Sequence, residues 1–222
     1  MAGRKQTGGG GQGGGKSVIA IAGEGQHDRD VLRQLLPVLC TWPAARRPKI
    51  IEVKTPMRLK KAENQLAPRL ERLHHLAQGQ AKLLQARLVG IAVHVDLDAV
   101  IDETYENRRK QLSTELQKQF DCDTALALAA DEMEAWLMLF PEAFTKLNSA
   151  WKLTEQDRRR NLGTIPGGSK ELLKSRLTKP RYLESHAPKV IEKAVTHGYV
   201  TSCDPSRNRS YADFTTDLAQ WK

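Results

Sequence analysis

The chain has few cysteines and no long apolar segment. Its three cysteines, Cys40, Cys122 and Cys203, are scattered and match neither a metal-binding motif nor a disulfide framework. We therefore expect reduced, structural thiols. No apolar run approaches the roughly 20 residues that a helix needs to cross a bilayer, and no hydrophobic leader opens the sequence. We expect a globular, cytoplasmic protein without a membrane partner.

Glycine dominates the N-terminal tail, which we define as residues 1–16. Half of these residues are glycine, and residues 10–17 read GGQGGGKS, which has the spacing of a Walker A motif. That motif binds phosphate only when a strand precedes the loop and a helix follows it. Here nothing strand-like precedes it, and an apolar run typical of a strand follows. The composition therefore predicts a flexible tail, with an ATP site as a remote alternative.

Two short apolar runs, residues 17–22 and 88–95, are rich in valine and isoleucine. Continuous runs of this kind are typical of strands that are covered on both faces. Pro68 and Gly79 are expected to interrupt the long helical pattern that lies between the two strands. The alternation of helices and strands predicts an α/β fold with a largely parallel, Rossmann-like sheet flanked by helices. The other predicted elements are a helix over 26–40, a strand over 49–54, a helix over 59–87, a helix over 105–119, a strand over 124–129 and a helix over 132–140.

The C-terminal part of the chain differs from the rest in charge. We divide the chain into the tail, an α/β domain over residues 17–140, and a helical, basic extension over residues 141–222. The formal net charge is +9, and residues 152–181 hold nine basic side chains against three acidic ones. Such a surface favours a nucleic-acid partner, although a solvated helical face explains a charge run equally well. The candidate nucleic-acid-binding residues are Arg158, Arg159, Arg160, Lys170, Lys174, Arg176, Lys179 and Arg181.

Acidic residues end the two predicted central strands. Glu24 follows the first strand, and Asp96 and Asp98 follow the second. Ligands collect at the carboxyl ends of parallel strands, and neighbouring carboxylates there usually share a cation. Asp96 and Asp98 are two residues apart, so on a strand they would lie on the same side. The sequence therefore predicts a Mg²⁺ (or Mn²⁺) site.

The order of these motifs resembles a known domain. A strand, Glu24-Gly25-x-x-Asp28, a helix and a strand ending in Asp96-x-Asp98 resemble the Toprim domain of topoisomerases, bacterial primases, small ribonucleases and OLD-family nucleases. This resemblance covers about residues 17–140.

Three further motifs resemble a group of small bacterial Toprim-like proteins. Those proteins are related to the OLD nucleases and are often encoded beside an ATPase, so the resemblance implies an OLD-like ATPase partner. The motifs are ADEMEAWL at residues 130–137, KPRY at residues 179–182 and RSYADF at residues 209–214.

The resemblance implies metal ligands that also act in catalysis at a phosphodiester bond. Carried over, these are Glu24, Asp96 and Asp98. Glu134 is the next candidate, because it opens the helix after the fourth strand and could reach a second ion. Asp131 and Glu132 are alternative candidates for that role, and Asp131 is also predicted as a metal ligand.

The sequence gives weaker signals for a basic site residue and for proton-transfer residues than for the metal ligands. Lys170 and Lys179 are candidates for the basic residue that often completes OLD-type sites. His27 and His94 could assist proton transfer, but a first-turn position and a core position explain them more simply. No tyrosine near the acidic residues suits a topoisomerase nucleophile, which argues against strand passage and for hydrolysis or binding.

Two functions remain open. The first is a metal-dependent nuclease that hydrolyses DNA or RNA in antiphage defence or genome maintenance, with nucleic acid and an ATPase as partners. The second is a non-catalytic nucleic-acid-binding or adaptor subunit on a Toprim-like scaffold. Phosphotransfer on a small nucleotide is a weaker third alternative.

Overall fold

A four-stranded parallel sheet lies at the centre of the structure, a computed structural model that describes residues 15–43, 46–62 and 64–221. Every neighbouring pair of strands runs parallel. The α/β fold and the central position of both acid-ended strands are therefore confirmed, while the predicted tail falls almost wholly outside the described residues. The strands, in the spatial order β2-β1-β3-β4, are β1 (Ser17–Ala22), β2 (Lys49–Val53), β3 (Arg87–Asp96) and β4 (Asp123–Ala129).

Helices surround the sheet within the described ranges. None of them is long and apolar enough to cross a membrane. A short 3-10 turn over Leu59–Lys61 precedes the second helix. The α-helices are α1 (Gln26–Leu39), α2 (Leu66–Leu83), α3 (Glu103–Gln119), α4 (Met133–Leu137), α5 (Pro141–Leu147), α6 (Glu155–Arg159), α7 (Ser169–Arg176), α8 (Ala187–Thr196), α9 (Tyr199–Ser202) and α10 (Arg209–Ala219).

The sheet separates two apolar cores. Helices α2 and α3 cover one face, and α1, α4, α5, α8 and α10 cover the other. Side chains of a strand alternate between faces, so Val93 and Val95 of β3 lie in the α2/α3 core while Ala92 lies in the opposite one. By the same alternation, His94 and Asp96 belong to the face that carries α1 and α4. Two polar side chains thus lie near the carboxyl end of a strand that is apolar from Leu88 to Val93.

The segment after residue 140 packs into the same core as the sheet. Trp136 of α4 is fully buried, stacks on Phe214 at a centroid distance of 5.4 Å and meets Tyr211 edge-on at 5.3 Å. Its indole N–H donates to Ser210 Oγ at 2.8 Å. Trp136 therefore joins the last helix to α4.

The predicted helices differ from the structure in three respects. The region predicted as one helix over residues 59–87 is a 3-10 turn over Leu59–Lys61 followed by α2 over Leu66–Leu83, and Arg87 already belongs to β3. The pattern over residues 59–87 predicts interruptions at Pro68 and Gly79, yet α2 runs unbroken through both. Pro68 lies in the first turn, where the missing N–H would have no helical acceptor. The helix predicted over residues 132–140 ends early, because Pro141 begins a separate helix. Helix α4 is therefore a short turn at the edge of the sheet.

We expect Gly79→Ala to stabilise the fold by about 0.5–1 kcal/mol, since glycine in a helix interior loses the most backbone entropy. Gly79 is exposed, and an added Cβ would meet no atom within 4 Å. Gly167 is the matched control: its surroundings are equally open, but its φ of +77° lies in the left-handed region. Gly167→Ala should therefore destabilise. Urea denaturation measures both variants, and a gain in neither or in both would contradict this account.

Candidate metal centre

The turn between β1 and α1 fixes the first carboxylate of the site. The backbone N–H of Gly25 donates to Asp28 Oδ2 at 2.8 Å, so Asp28 reaches back over the start of its own helix. A Cβ atom on Gly23 would lie 3.1 Å from the Cβ of Asp28 and 3.5 Å from that of His94. Glycine at position 23 therefore lets the turn approach β3 closely enough to join these two side chains.

His94 of β3 lies between two carboxylates. Its Nδ1 is 3.4 Å from Asp28 Oδ2, and its Nε2 is 3.2 Å from Asp96 Oδ1. The imidazole is buried, and neither nitrogen is aligned for a hydrogen bond. These contacts are electrostatic, and the imidazole sets the spacing of the two carboxylates.

Charge couples these three groups. Burial acts to lower the pKa of His94, but the carboxylates of Asp96 and Asp28 outweigh it and raise the pKa to about 10. For Asp28, burial acts to raise the pKa. The charge of His94 and the hydrogen bond from the N–H of Gly25 outweigh burial and hold this pKa well below its usual range. One imidazolium therefore offsets half of the negative charge of the two carboxylates.

Asp96 connects the end of β3 to the start of α4. Its Oδ1 accepts a hydrogen bond of 3.1 Å from the backbone N–H of Met133. Its side chain is 30% exposed, against 17% for Asp28 and 0% for His94. The carboxylates therefore face solvent while the imidazole lies behind them.

The carboxylates open into a cleft of about 190 Å³, here called the acidic cleft. Glu134 lies almost fully buried in it and accepts a hydrogen bond of 3.3 Å from the hydroxyl of Tyr182. Burial raises the pKa of Glu134 to about 7, Lys170 opposes this shift, and Glu132 adds to it. Glu134 can therefore hold or release a proton near neutral pH. The lining residues are Gly25, His27, Asp28, Asp96, Met133, Glu134, Lys170, Glu184 and Ala187.

Lys170 places a cation in the same cleft. Its Nζ lies 2.8 Å from Glu132 Oε1 and 3.1 Å from Glu184 Oε1. Although burial acts to lower its pKa, the hydrogen bond to Glu132 and the nearby carboxylates raise it. The first amides of α7 are also occupied, because Ser169 N–H donates to Asp131 and Lys170 N–H donates to Glu132. Asp131 and Glu132 thus cap α7, which holds Lys170 in place.

The structure separates the acidic residues that the sequence groups together. Asp96 lies in the acidic cleft, whereas the carboxylate of Asp98 is 59% exposed and pairs with Lys60. The expectation that Asp96 and Asp98 share one side of a strand is wrong, because β3 ends at Asp96 and Asp98 has a left-handed φ of 51°. Glu24 is partly buried in the β1–α1 turn. It does not belong to the group formed by Asp28, His94 and Asp96.

Asp28 and His94 were not predicted as ligands. Asp28 stands in the Glu24-Gly25-x-x-Asp28 motif, so a signal for it existed. His94 lies in an apolar run, where a core position is the simpler interpretation, and it is indeed buried. The contact between the two side chains becomes visible only in the structure. There, the register of β1 and β3 places Ala22 beside Val93 and so brings the β1–α1 turn next to His94.

Most of the basic residues predicted to bind nucleic acid form ion pairs. Asp157 is fully buried and pairs with Arg160 and Arg176. These ion pairs neutralise part of the basic charge. The role of the basic residues at a nucleic-acid surface stays a prediction. Carboxylates also pair with Arg158, Lys170 and Lys174. In the described part of the chain, no ion pair is found for Arg159, Lys179 and Arg181.

The three grouped residues could hold a metal ion. Asp28, His94 and Asp96 each offer one ligand atom, and these atoms lie within 4.8 Å of one another. Comparison with protein-family models, curated proteins and solved structures gave no match. The fold and the site define an α/β protein with an acidic, histidine-backed cleft at the carboxyl edge of a parallel sheet.

Proposed function

We propose that this chain is a metal-dependent nuclease that hydrolyses phosphodiester bonds of DNA or RNA. The observation that carries the proposal is the group formed by Asp28, His94 and Asp96, whose two carboxylates line a cleft that also contains Lys170. Carboxylates that can hold a cation, beside a fixed ammonium, suit a phosphodiester group. The resemblance to Toprim-like proteins supports the same reaction and an ATPase partner.

A divalent cation is part of this proposal. When bound, it polarises a phosphate oxygen and lowers the pKa of a coordinated water. An ion that displaces the proton of His94 would meet two carboxylate oxygens and an imidazole nitrogen. This mixed donor set suits Mn²⁺ better than Mg²⁺, because Mg²⁺ prefers oxygen ligands alone. We therefore propose Mn²⁺ as the preferred ion and Mg²⁺ as the second.

The protein groups have distinct tasks in this scheme. Asp28 and Asp96 hold the charge of the site, and His94 sets the distance between them. Lys170 provides positive charge for a non-bridging phosphate oxygen. Glu134, whose pKa is about 7, accepts or returns a proton at its carboxylate.

A second function is favoured by a different observation. The His94 imidazolium offsets one of the two carboxylate charges without a metal ion, so the cleft can be stable as a purely structural feature. In that case the chain is a non-catalytic binding or adaptor subunit.

Cleavage assays separate the two functions. Supercoiled plasmid, single-stranded DNA and structured RNA are incubated with the protein in Mn²⁺, in Mg²⁺ and in EDTA. The nuclease proposal predicts cleavage in Mn²⁺ that EDTA abolishes. Absence of cleavage with every substrate and both metals would favour the adaptor function.

Lys170→Ala should lower the cleavage rate about a hundredfold, the usual loss when one preorganised donor is removed from a charged transition state. Lys193→Ala is the matched control, since Lys193 lies on α8 outside the acidic cleft and pairs with Glu192. Rates are measured at saturating Mn²⁺. An equal loss in both variants would show a general charge effect and contradict the role given to Lys170.

A further inference from the structure

A second and larger cleft lies on the other face of the sheet. It is open to solvent and has a volume of about 730 Å³. It lies between the 3-10 turn over Leu59–Lys61, the end of β3 and the first turns of α3, and is here called the amide cleft. The described residues that line it include Lys60, Asn64, Leu97, Thr104, Asn107 and Gln111.

The walls of the amide cleft are held in place. Arg108 of α3 donates to the carbonyl oxygen of Lys60 at 2.8 Å and also to that of Leu59. Its other terminal nitrogen donates to Gln111 Oε1 at 2.6 Å, which orients that amide. Arg108 therefore joins the 3-10 turn to α3, so the cleft exists before any ligand arrives.

The lining combines amides with a cation. Asn64, Asn107 and Gln111 carry groups that donate and accept at the same time, as the edge of a nucleobase does. The ammonium of Lys60 is ion-paired with Asp98 at the rim, where a phosphate could compete for it. The described lining residues contain no carboxylate, and Leu97 adds an apolar surface.

We propose that the amide cleft binds an unpaired nucleotide, with the amides reading the base edge and Lys60 contacting the phosphate. This inference rests on the proposed nuclease function for its substrate, a strand that crosses the carboxyl edge of the sheet. Asp96 lines the acidic cleft, and Leu97, the next residue, lines the amide cleft. A strand that passes over this edge would therefore meet both clefts. A base in a duplex already uses its pairing edge, so the site selects unpaired nucleotides.

Binding is tested by fluorescence anisotropy with Ca²⁺ in place of Mn²⁺. The probes are a labelled single-stranded oligonucleotide, the same sequence as a blunt duplex, and labelled AMP. The variants are Asn107→Ala combined with Gln111→Ala, whose side chains are exposed, and Lys60→Ala. The matched controls are Gln117→Ala and Lys110→Ala, which change exposed residues of α3 outside the cleft.

We expect the cleft variants to bind the single strand about tenfold more weakly or worse, and the controls to bind as the parent does. The parent should prefer the single strand to the duplex. If the cleft variants lose affinity for AMP as much as for the oligonucleotide, a free nucleotide is sufficient for binding. If they lose affinity for the oligonucleotide alone, the site binds a strand. Unchanged affinity in the cleft variants, or no binding of any probe, would overturn the inference.

The cleavage assay keeps this inference separate from the proposed function. If the cleft variants cleave and bind as the parent does, the nuclease proposal stands and the nucleotide site fails. If the cleft variants lose binding in a protein that cleaves nothing, the nucleotide site stands and the nuclease proposal fails.

Discussion

Asp96→Asn is expected to lower metal-dependent cleavage about a thousandfold, which corresponds to about 4 kcal/mol of transition-state stabilisation. The substitution keeps the shape of the side chain but removes the negative charge that faces both His94 and the acidic cleft. The amide oxygen can still accept from the N–H of Met133. Cleavage rates in Mn²⁺, with circular dichroism as a check on folding, measure the effect.

Asp121→Asn is the control for this experiment, because Asp121 is an exposed loop residue outside the acidic cleft. It should cleave at the parental rate. Asp28→Asn should lose as much activity as Asp96→Asn, since both carboxylates belong to one ligand group. Full activity in Asp96→Asn would show that the acidic cleft takes no part in cleavage.

His94→Gln is expected to destabilise the metal-free protein by about 3–5 kcal/mol, the usual effect of removing one partner from a buried charged pair. The loss leaves Asp28 and Asp96 facing each other without a compensating charge. Urea denaturation in EDTA measures the difference. Adding Mn²⁺ should return part of the stability, because a cation replaces the missing imidazolium.

The pH dependence of stability provides a second test of His94. Its pKa rises from 6.5 to about 10 on folding, so its contribution is complete below pH 6.5 and disappears as the pH rises through about 10. The metal-free parent should therefore lose stability across this window, and His94→Gln should not show that loss.

Two variants control for a simple folding defect. His75→Gln changes an exposed histidine of α2 and should leave both stability and its pH dependence unchanged. Asp28→Asn combined with His94→Gln should be more stable than His94→Gln alone, because one of the two repelling carboxylates is removed. Additive losses in the double variant would contradict the coupling between these residues.

Much of the fold follows from local pattern. The apolar runs that became β1 and β3 are read correctly, because strands covered on both faces need continuous valine and isoleucine. Alternation with helices then gives a parallel sheet. The errors concern Pro68, which the first turn of α2 tolerates, Gly79, whose weak local preference does not break the helix, and the early end of α4 before Pro141.

The site is harder to predict than the fold. The position of Asp96 at the carboxyl end of β3 is predicted from sequence, because an acidic residue that ends a buried strand is unusual. The position of Asp98 depends on one left-handed backbone angle, and the contact of Asp28 with His94 depends on the register of two strands that are far apart in sequence. Neither is visible in spacing alone.

A titration with Mn²⁺, followed by electron paramagnetic resonance, tests the central claim that Asp28, His94 and Asp96 form a cation site. The parent should bind Mn²⁺, Asp28→Asn should lose that binding, and Asp98→Asn should keep it, because Asp98 pairs with Lys60 outside the group. No binding by the parent, or loss in Asp98→Asn with retention in Asp28→Asn, would contradict the account.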